Sequence, residues 1–344
     1  MATASTDAIL SQGKASFALH RDAATPDDTV LDLTRVPLAW AQALSSQAWA
    51  DGRLKAGTLD GRLTVRAPET QPLRVDGTLV LSDGAFETPD GSIASEHLGG
   101  RFRIDYRKLA DATMVSVDSE LRGGELLYGS TYVALPDRPV QFRLDAMQRG
   151  GGGWALPAIS WRDGDALTAQ GSAAFGQDAS LQGLDVELHS RDLSSLAARY
   201  LSGWLGVAGL SGLEAQGGLD AGIRIASGQL ATIDARLHDI TLRSPGKGFA
   251  FEGLDGDLRF SDAAAVDSEL RWRSGSLNGI PFGAATLPWR SERGELHTRA
   301  PVIVSMLGGH VRFDDLTLRP PAGGNGLRMQ FGLALDALEL GTLS

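Results

Sequence analysis

A chain of 344 residues, 42% apolar and 22% charged, can bury a core and keep a wet surface, and it suits two ordinary domains or one repetitive one. Its net charge of −10 argues against a nucleic-acid binder, which must neutralise phosphates, and against purely electrostatic attachment to anionic membranes. The lack of cysteine excludes disulfides, thiolate nucleophiles and cysteine-held metal centres, while 43 glycines favour turns and bulges over helix.

Residues Met1 to His20 contain no charged-then-apolar targeting pattern, and no stretch reaches the length of a membrane-spanning helix. Gln12-Gly13 with Phe17 reads as the closing strand of a repeat, parallel to Gln170-Gly171 with Phe175. A strand at Val30-Leu31-Asp32-Leu33 leads through Thr34, the expected N-cap, and Pro37 into a helical stretch ending near Trp49. Leu63 and Val65 then alternate with Arg62, Thr64 and Arg66. Phe102, Ile104 and Tyr106 alternate with Arg101, Arg103, Asp105 and Arg107. Such alternation places apolar groups on one sheet face and charges on the other, as in antiparallel strands with one solvated face. Asp83-Gly84, Asp90-Gly91 and Asn278-Gly279 read as hairpin turns, and Gly150 to Gly153 as a flexible connection.

The chain repeats itself. Val117-Asp118-Ser119-Glu120-Leu121-Arg122 recurs unchanged as Val266-Asp267-Ser268-Glu269-Leu270-Arg271, an offset of 149. Leu135-Pro136 is matched by Leu287-Pro288, and Leu98-Gly99-Gly100-Arg101-Phe102 by Leu254-Asp255-Gly256-Asp257-Leu258. The second unit opens with Val186-Glu187-Leu188, then Asp192 as N-cap, then a helix from Leu193 to Leu205 with Leu193, Leu196 and Tyr200 on one face. Leu327, Met329, Phe331, Leu333 and Leu335 form an apolar row, within which Phe331 to Asp336 resembles the start of another unit. The expected division is therefore 1–29, closing strands of a preceding repeat; 30–185, unit one; 186–330, unit two; and 331–344, the head of a further repeat.

The expected fold is all-β: an elongated, twisted, mainly antiparallel sheet with two short helices docked at repeat starts. Two such helices cannot cover two units of this size, which leaves a sandwich, a closed barrel, a solenoid or a sheet curled into an apolar trough. With only 6% aromatic residues, a trough or thin folded-over sheet fits best.

No motif carries a reaction. None of the six histidines has a second histidine at ligand spacing, and His238 and His297 read as exposed strand positions beside Asp239 and Glu295. Asp163 and Asp165, flanking Gly164, read as a polar turn and not as a glycosidase pair. No nucleotide loop or nucleophile elbow stands out, and Trp154, Trp161, Trp272 and Trp289 read as packing groups. Neither an enzyme nor a cofactor or metal is expected.

The stretches Asp192 to Tyr200, Leu213 to Leu219, Gly228 to Leu242 and Leu254 to Phe260 follow a pattern of alternating strands, a leucine-rich short helix and an L-x-G-x-L-x-F closing strand. In this the chain resembles the AsmA-like superfamily, the TamB-, YhdP- and YdbH-type envelope proteins of Gram-negative bacteria. Met306 to Phe313 looks most like the YdbH-like branch. The resemblance covers most of the chain, through degenerate motifs. It implies a periplasmic β-groove that shields phospholipid acyl chains between the inner and outer membranes, with membrane proteins as partners at its ends and no nucleic acid. The family's membrane anchor is not present in this sequence. The residues expected to line the groove are Leu63, Val65, Leu79, Leu81, Phe102, Ile104, Val117, Leu121, Phe142, Leu144, Ile223, Ile225, Leu258, Phe260, Leu270, Val302, Val304, Val311, Phe313, Met329, Phe331 and Leu333. The competing reading is a structural or adhesive β-repeat protein with a dry core. An outer-membrane barrel would want aromatic girdles that four tyrosines and seven tryptophans hardly supply.

Overall fold

Wherever the sequence alternates with period two, the backbone is extended. The structure, a computed structural model, describes residues 5–42, 52–129, 131–293, 295–319 and 328–337. These hold twenty-four strands, paired antiparallel, so the protein is all-β. The chain divides into two compact units. One comprises Met1–Gly164, Gln170–Leu181 and Arg199–Trp204; the other comprises Asp165–Ala169, Gln182–Ala198 and Leu205–Ser344.

The first unit holds β1 (Thr6–Gln12), β2 (Ala15–Arg21), β3 (Asp28–Pro37), β4 (Arg53–Arg66), β5 (Leu73–Glu87) and β6 (Ile93–Lys108). It continues with β7 (Ala112–Arg122), β8 (Glu125–Tyr128), β9 (Thr131–Ala134), β10 (Val140–Arg149) and β11 (Trp154–Asp163). Strands β1 to β7 pair in succession, followed by β10 and β11. The start of β6 outruns β7 and pairs instead with β8, which turns back as β9.

Strands β12 (Leu167–Phe175) and β13 (Leu181–Ser190) straddle the division between the units. The second unit continues with β14 (Glu214–Ala226), β15 (Gln229–Ser244), β16 (Phe249–Ser261), β17 (Val266–Trp272), β18 (Ser274–Leu277) and β19 (Ile280–Phe282). After them come β20 (Ala285–Glu292), β21 (Glu295–Thr298), β22 (Val302–Met306), β23 (Gly309–Arg319) and β24 (Arg328–Asp336). Its pairing follows the same scheme. β16 bonds β17 with one part and β18 with the other, β18 turns back as β19, and β17 goes on to β20.

The six-residue repeat occupies β7 and β17, and its side chains repeat with it. Leu121 lies opposite Gly100 and Val140, as Leu270 lies opposite Gly256 and Leu287. Ser119 and Ser268 are both buried. Asp118 pairs with Arg143 at 3.0 Å on the next strand, and Asp267 with Arg290 at 2.7 Å.

Several local expectations need correction. Gln12-Gly13 does not match Gln170-Gly171: Gly13 turns β1 into β2, whereas Gly171 is inside β12. The turn that does match is Gly164 before buried Ala166, as Gly13 precedes buried Ala15. Thr34 caps nothing, because β3 runs on to Pro37; a 3-10 turn follows over Leu38–Ala41. The helix expected to reach Trp49 extends into residues outside those described. Asp83-Gly84 is not a hairpin turn but a bulge within β5, since its neighbours keep their partners on β6.

That bulge belongs to a row. Arg35, Gly57, Asp83 and His97, all at positive φ, interrupt β3, β4, β5 and β6 where their registers shift. Gly217, Asp239 and Gly253 do the same in β14, β15 and β16. Gly57 is needed for space as well as φ, since a Cβ there would lie 2.8 Å from the Gly84 backbone. Bulges bend and twist strands, so a row of them folds the sheet along a line. In the first unit, Leu54, Phe86 and Leu126 from one arm of the bend meet Leu81, Leu121, Val140 and Phe102 from the other. The apolar face is therefore the inside of the bend.

The second helix forms where expected. Residues 193–207, α1, run as α-helix over Leu193–Leu196, π-helix over Ala197–Leu201 and α-helix again over Ser202–Val207. Asp192 caps it, its carboxylate accepting from the Ser195 amide at 3.2 Å.

Candidate functional site

Direct cross-strand partners point to the same face of a sheet. One row of the first unit runs Leu31, Leu63, Gly77, Ile104, Val117, Leu144. Beside it run Leu33, Gly61, Leu79, Phe102, Ser119, Phe142 and Trp161, and nearer the bend Leu59, Leu81, Gly100, Leu121 and Val140. Val65 opposes Thr29 and Val75 on the same face. All ten first-unit positions named from sequence thus share one face. Its burial is graded. Leu81 and Leu121 at the bend are 8% and 5% exposed, and the other eight are only half-buried.

The twelve second-unit positions also share a face. Ile223 opposes Ile233, which opposes Phe260; Ala235 opposes Leu258; Ile225 opposes Leu230; Leu270 opposes Gly256. Val302 faces Phe313 and Val304 faces Val311, and across β24 Phe313 faces Leu333 and Leu318 faces Met329. Phe331 lies between the last two on β24, its ring centroid 5.8 Å from that of Phe313. Every described residue of β24 is exposed, with Met329 at 60% and Leu333 at 54%. Leu327, the first residue of that row, lies outside the described residues.

The opposite face is charged and internally paired. Arg62 forks onto Asp32, Arg224 onto Asp185 and Arg290 onto Asp267 across neighbouring strands. Those hydrogen bonds hold Asp32 and Asp267 below the usual carboxylate range. His189 and, at 2.7 Å, His238 both bond Asp220, lowering its pKa likewise. His297 is half-buried in β21. Among the described residues no cluster of His, Asp and Glu is arranged to hold a metal ion.

Two features escaped the sequence reading. The first is Asp163, which is wholly buried and no part of a polar turn. Arg138 pairs with one carboxylate oxygen, and Arg199 at 2.9 Å and the Tyr200 hydroxyl at 2.8 Å bond the other. The Trp161 indole donates to that hydroxyl at 2.9 Å. Burial first, then the bond to Asp163, push the Tyr200 phenol well above the usual tyrosine range. Arg199–Trp204 is thereby seated on the apolar face at Trp161, and the Trp204 indole reaches Thr131 on β9 at 3.3 Å. The Asp163 carboxylate is an anchor, held between two arginines and a tyrosine.

The second is a cavity of about 570 Å³ in the second unit. Phe251, Trp272 and Phe282 form its wall, with ring centroids 5.4 to 6.4 Å apart. Trp272 gives its N–H to the Gly283 carbonyl, so only its apolar surface faces the space. Leu287, Val304, Met306 and the β24 row complete the lining. Phe249-Ala250-Phe251 carried the period-two signal, but nothing in the sequence brought it to β22.

No family model matches the chain, and neither the curated proteins nor the solved structures contain a match to it.

Proposed function

We propose that this chain is a lipid-holding segment that shields phospholipid acyl chains against the apolar face of its bent sheets, for passage between the membranes of a Gram-negative envelope. One observation carries the reading: aliphatic rows several strands wide remain half-exposed while the reverse face is laddered with paired Arg and Asp. Contiguous apolar surface of this kind marks a place where another apolar body sits. Each methylene moved from water onto such a wall gains about 0.8 kcal/mol, so a long chain needs no specific contact. The resemblance to AsmA-like proteins supports phospholipid as the cargo and the periplasm as the place.

The test is organic extraction of the purified chain followed by lipid mass spectrometry. The proposal expects phospholipid in stoichiometric amount, diminished by Leu79→Asp or Ile104→Asp. A lipid-free protein, with in vitro phospholipid transfer indifferent to both substitutions, refutes it in favour of a structural β-repeat.

A further inference from the structure

The two units treat one position differently. In the first, the ends of β10 and β11 together with β9 form a seat, and Arg199–Trp204 of α1 fills it: Tyr200 lies on Trp161, and Trp204 reaches Thr131. Pairing locates the same seat in the second unit. Because Leu287 opposes Leu270 as Val140 opposes Leu121, Leu287 stands for Val140 and Ala285 for Arg138. The β22–β23 hairpin follows β20 and β21 as the turn from β11 into β12 follows β10, and Val304 and Met306 lie on the strand that leads into it. Phe282, on the strand equivalent to β9, pairs with Met306. Phe282, Leu287, Val304 and Met306 line the 570 Å³ cavity. A helix fills such a site in one unit, and among the described residues no helix covers it in the other.

We propose that this cavity is the docking seat of an amphipathic helix of the α1 kind, belonging to an adjoining repeat of the same design. Sequence supports a helix as the occupant. β24 follows β13 at an offset of 147, with Phe331, Leu333 and Leu335 in the places of Leu184, Val186 and Leu188. The residues after it, Glu339-Leu340-Gly341-Thr342-Leu343, repeat the type of Asp192-Leu193-Ser194-Ser195-Leu196, where α1 begins. The seat also specifies its guest. In the first unit Asp163 holds both Arg199 and Tyr200, whereas no charged side chain lines this cavity. A helix entering here must therefore carry apolar residues at those two positions, because a guanidinium would be buried without a partner.

The chain has no cysteine, so Leu277→Cys at the cavity rim can carry a single environment-sensitive fluorophore. Two peptides spanning residues 192–207 are titrated in, one unchanged and one with Arg199→Leu and Tyr200→Phe. The doubly substituted peptide is expected to give a saturable change and to bind about tenfold tighter than the unchanged one. Phe331→Asp, at an exposed position on the rim, should weaken it about tenfold with strand content unchanged. A grafted version, with the substituted residues 198–207 appended after Ser344, should shift the fluorophore without added peptide. No saturable response to the peptide together with no shift in the graft overturns the proposal, as does an equal response to a scrambled peptide. Palmitate that shifts the fluorophore where both helix forms fail makes the cavity an acyl-chain seat; the helix is then refuted while the lipid reading stands. Conversely, Leu79 and Ile104 lie in the first unit, so failure of the lipid test leaves helix docking untouched.

Discussion

Ile104→Asp and Leu121→Asp put the same charge on the same sheet face, two rows apart, and the open-face reading requires very different consequences. Ile104 is half-buried beside Val117 and Gly77. Its replacement forfeits about half of the 1.5–3 kcal/mol that full burial is worth, plus up to about 1 kcal/mol of strand preference, near 2 kcal/mol in all. The new carboxylate keeps its water. Leu121 is 5% exposed within the packed corner of Leu81, Leu98 and Val140. There the lost side chain alone is worth about 2–5 kcal/mol, and a buried, unpaired carboxylate adds several more. The difference should be at least about 3 kcal/mol, or roughly 6–12 °C in melting temperature for a unit of this size. Circular dichroism melts of the two variants measure it. Equal, large losses at both positions would mean that the face is dry at Ile104, and the reasoning from half-burial to an accessible lipid surface would be refuted.

The Asp163 anchor predicts that Asp163→Asn, which removes the counter-charge of two partly exposed guanidinium groups, destabilises the first unit by about 1–3 kcal/mol in urea titrations. Tyr200→Phe removes two hydrogen bonds and should cost about 1–3 kcal/mol at neutral pH. The Tyr200 pKa is raised in the folded chain, so the protonated phenol is the stabilising form. Its contribution is complete below the unfolded value of 10.0 and is lost as pH climbs towards the higher folded value. Alkaline melts should therefore steepen above about pH 10 in the parent and flatten in Tyr200→Phe. Gly61→Ala should lose at least about 1–3 kcal/mol, since φ is +147° and a Cβ would in addition lie 2.2 Å from the Thr78 carbonyl oxygen. Gly222→Ala meets nothing within 4 Å and should hold or gain about 0.5 kcal/mol in the same melts.

Face assignment was written in the sequence by itself. All twenty-two positions named for the apolar wall share a face within their unit, because a strand's side chains alternate whatever surrounds them. The duplication was legible for a similar reason: the Leu121–Gly100 and Leu270–Gly256 contacts demand the same residues each time the pairing recurs. Tertiary structure decided what alternation cannot encode. Asp83-Gly84 carries a turn's signature, yet β6 pairs on both sides of it and makes it a bulge. Asp163 looked like a loop carboxylate until Arg138, Arg199 and Tyr200, the last two more than thirty residues away, converged to bury it. The same holds for the seat that α1 fills beside Trp161 and the cavity beside Val304. Period two orients a side chain, but only pairing and bending across distant strands determine whether protein, lipid or water lies above it.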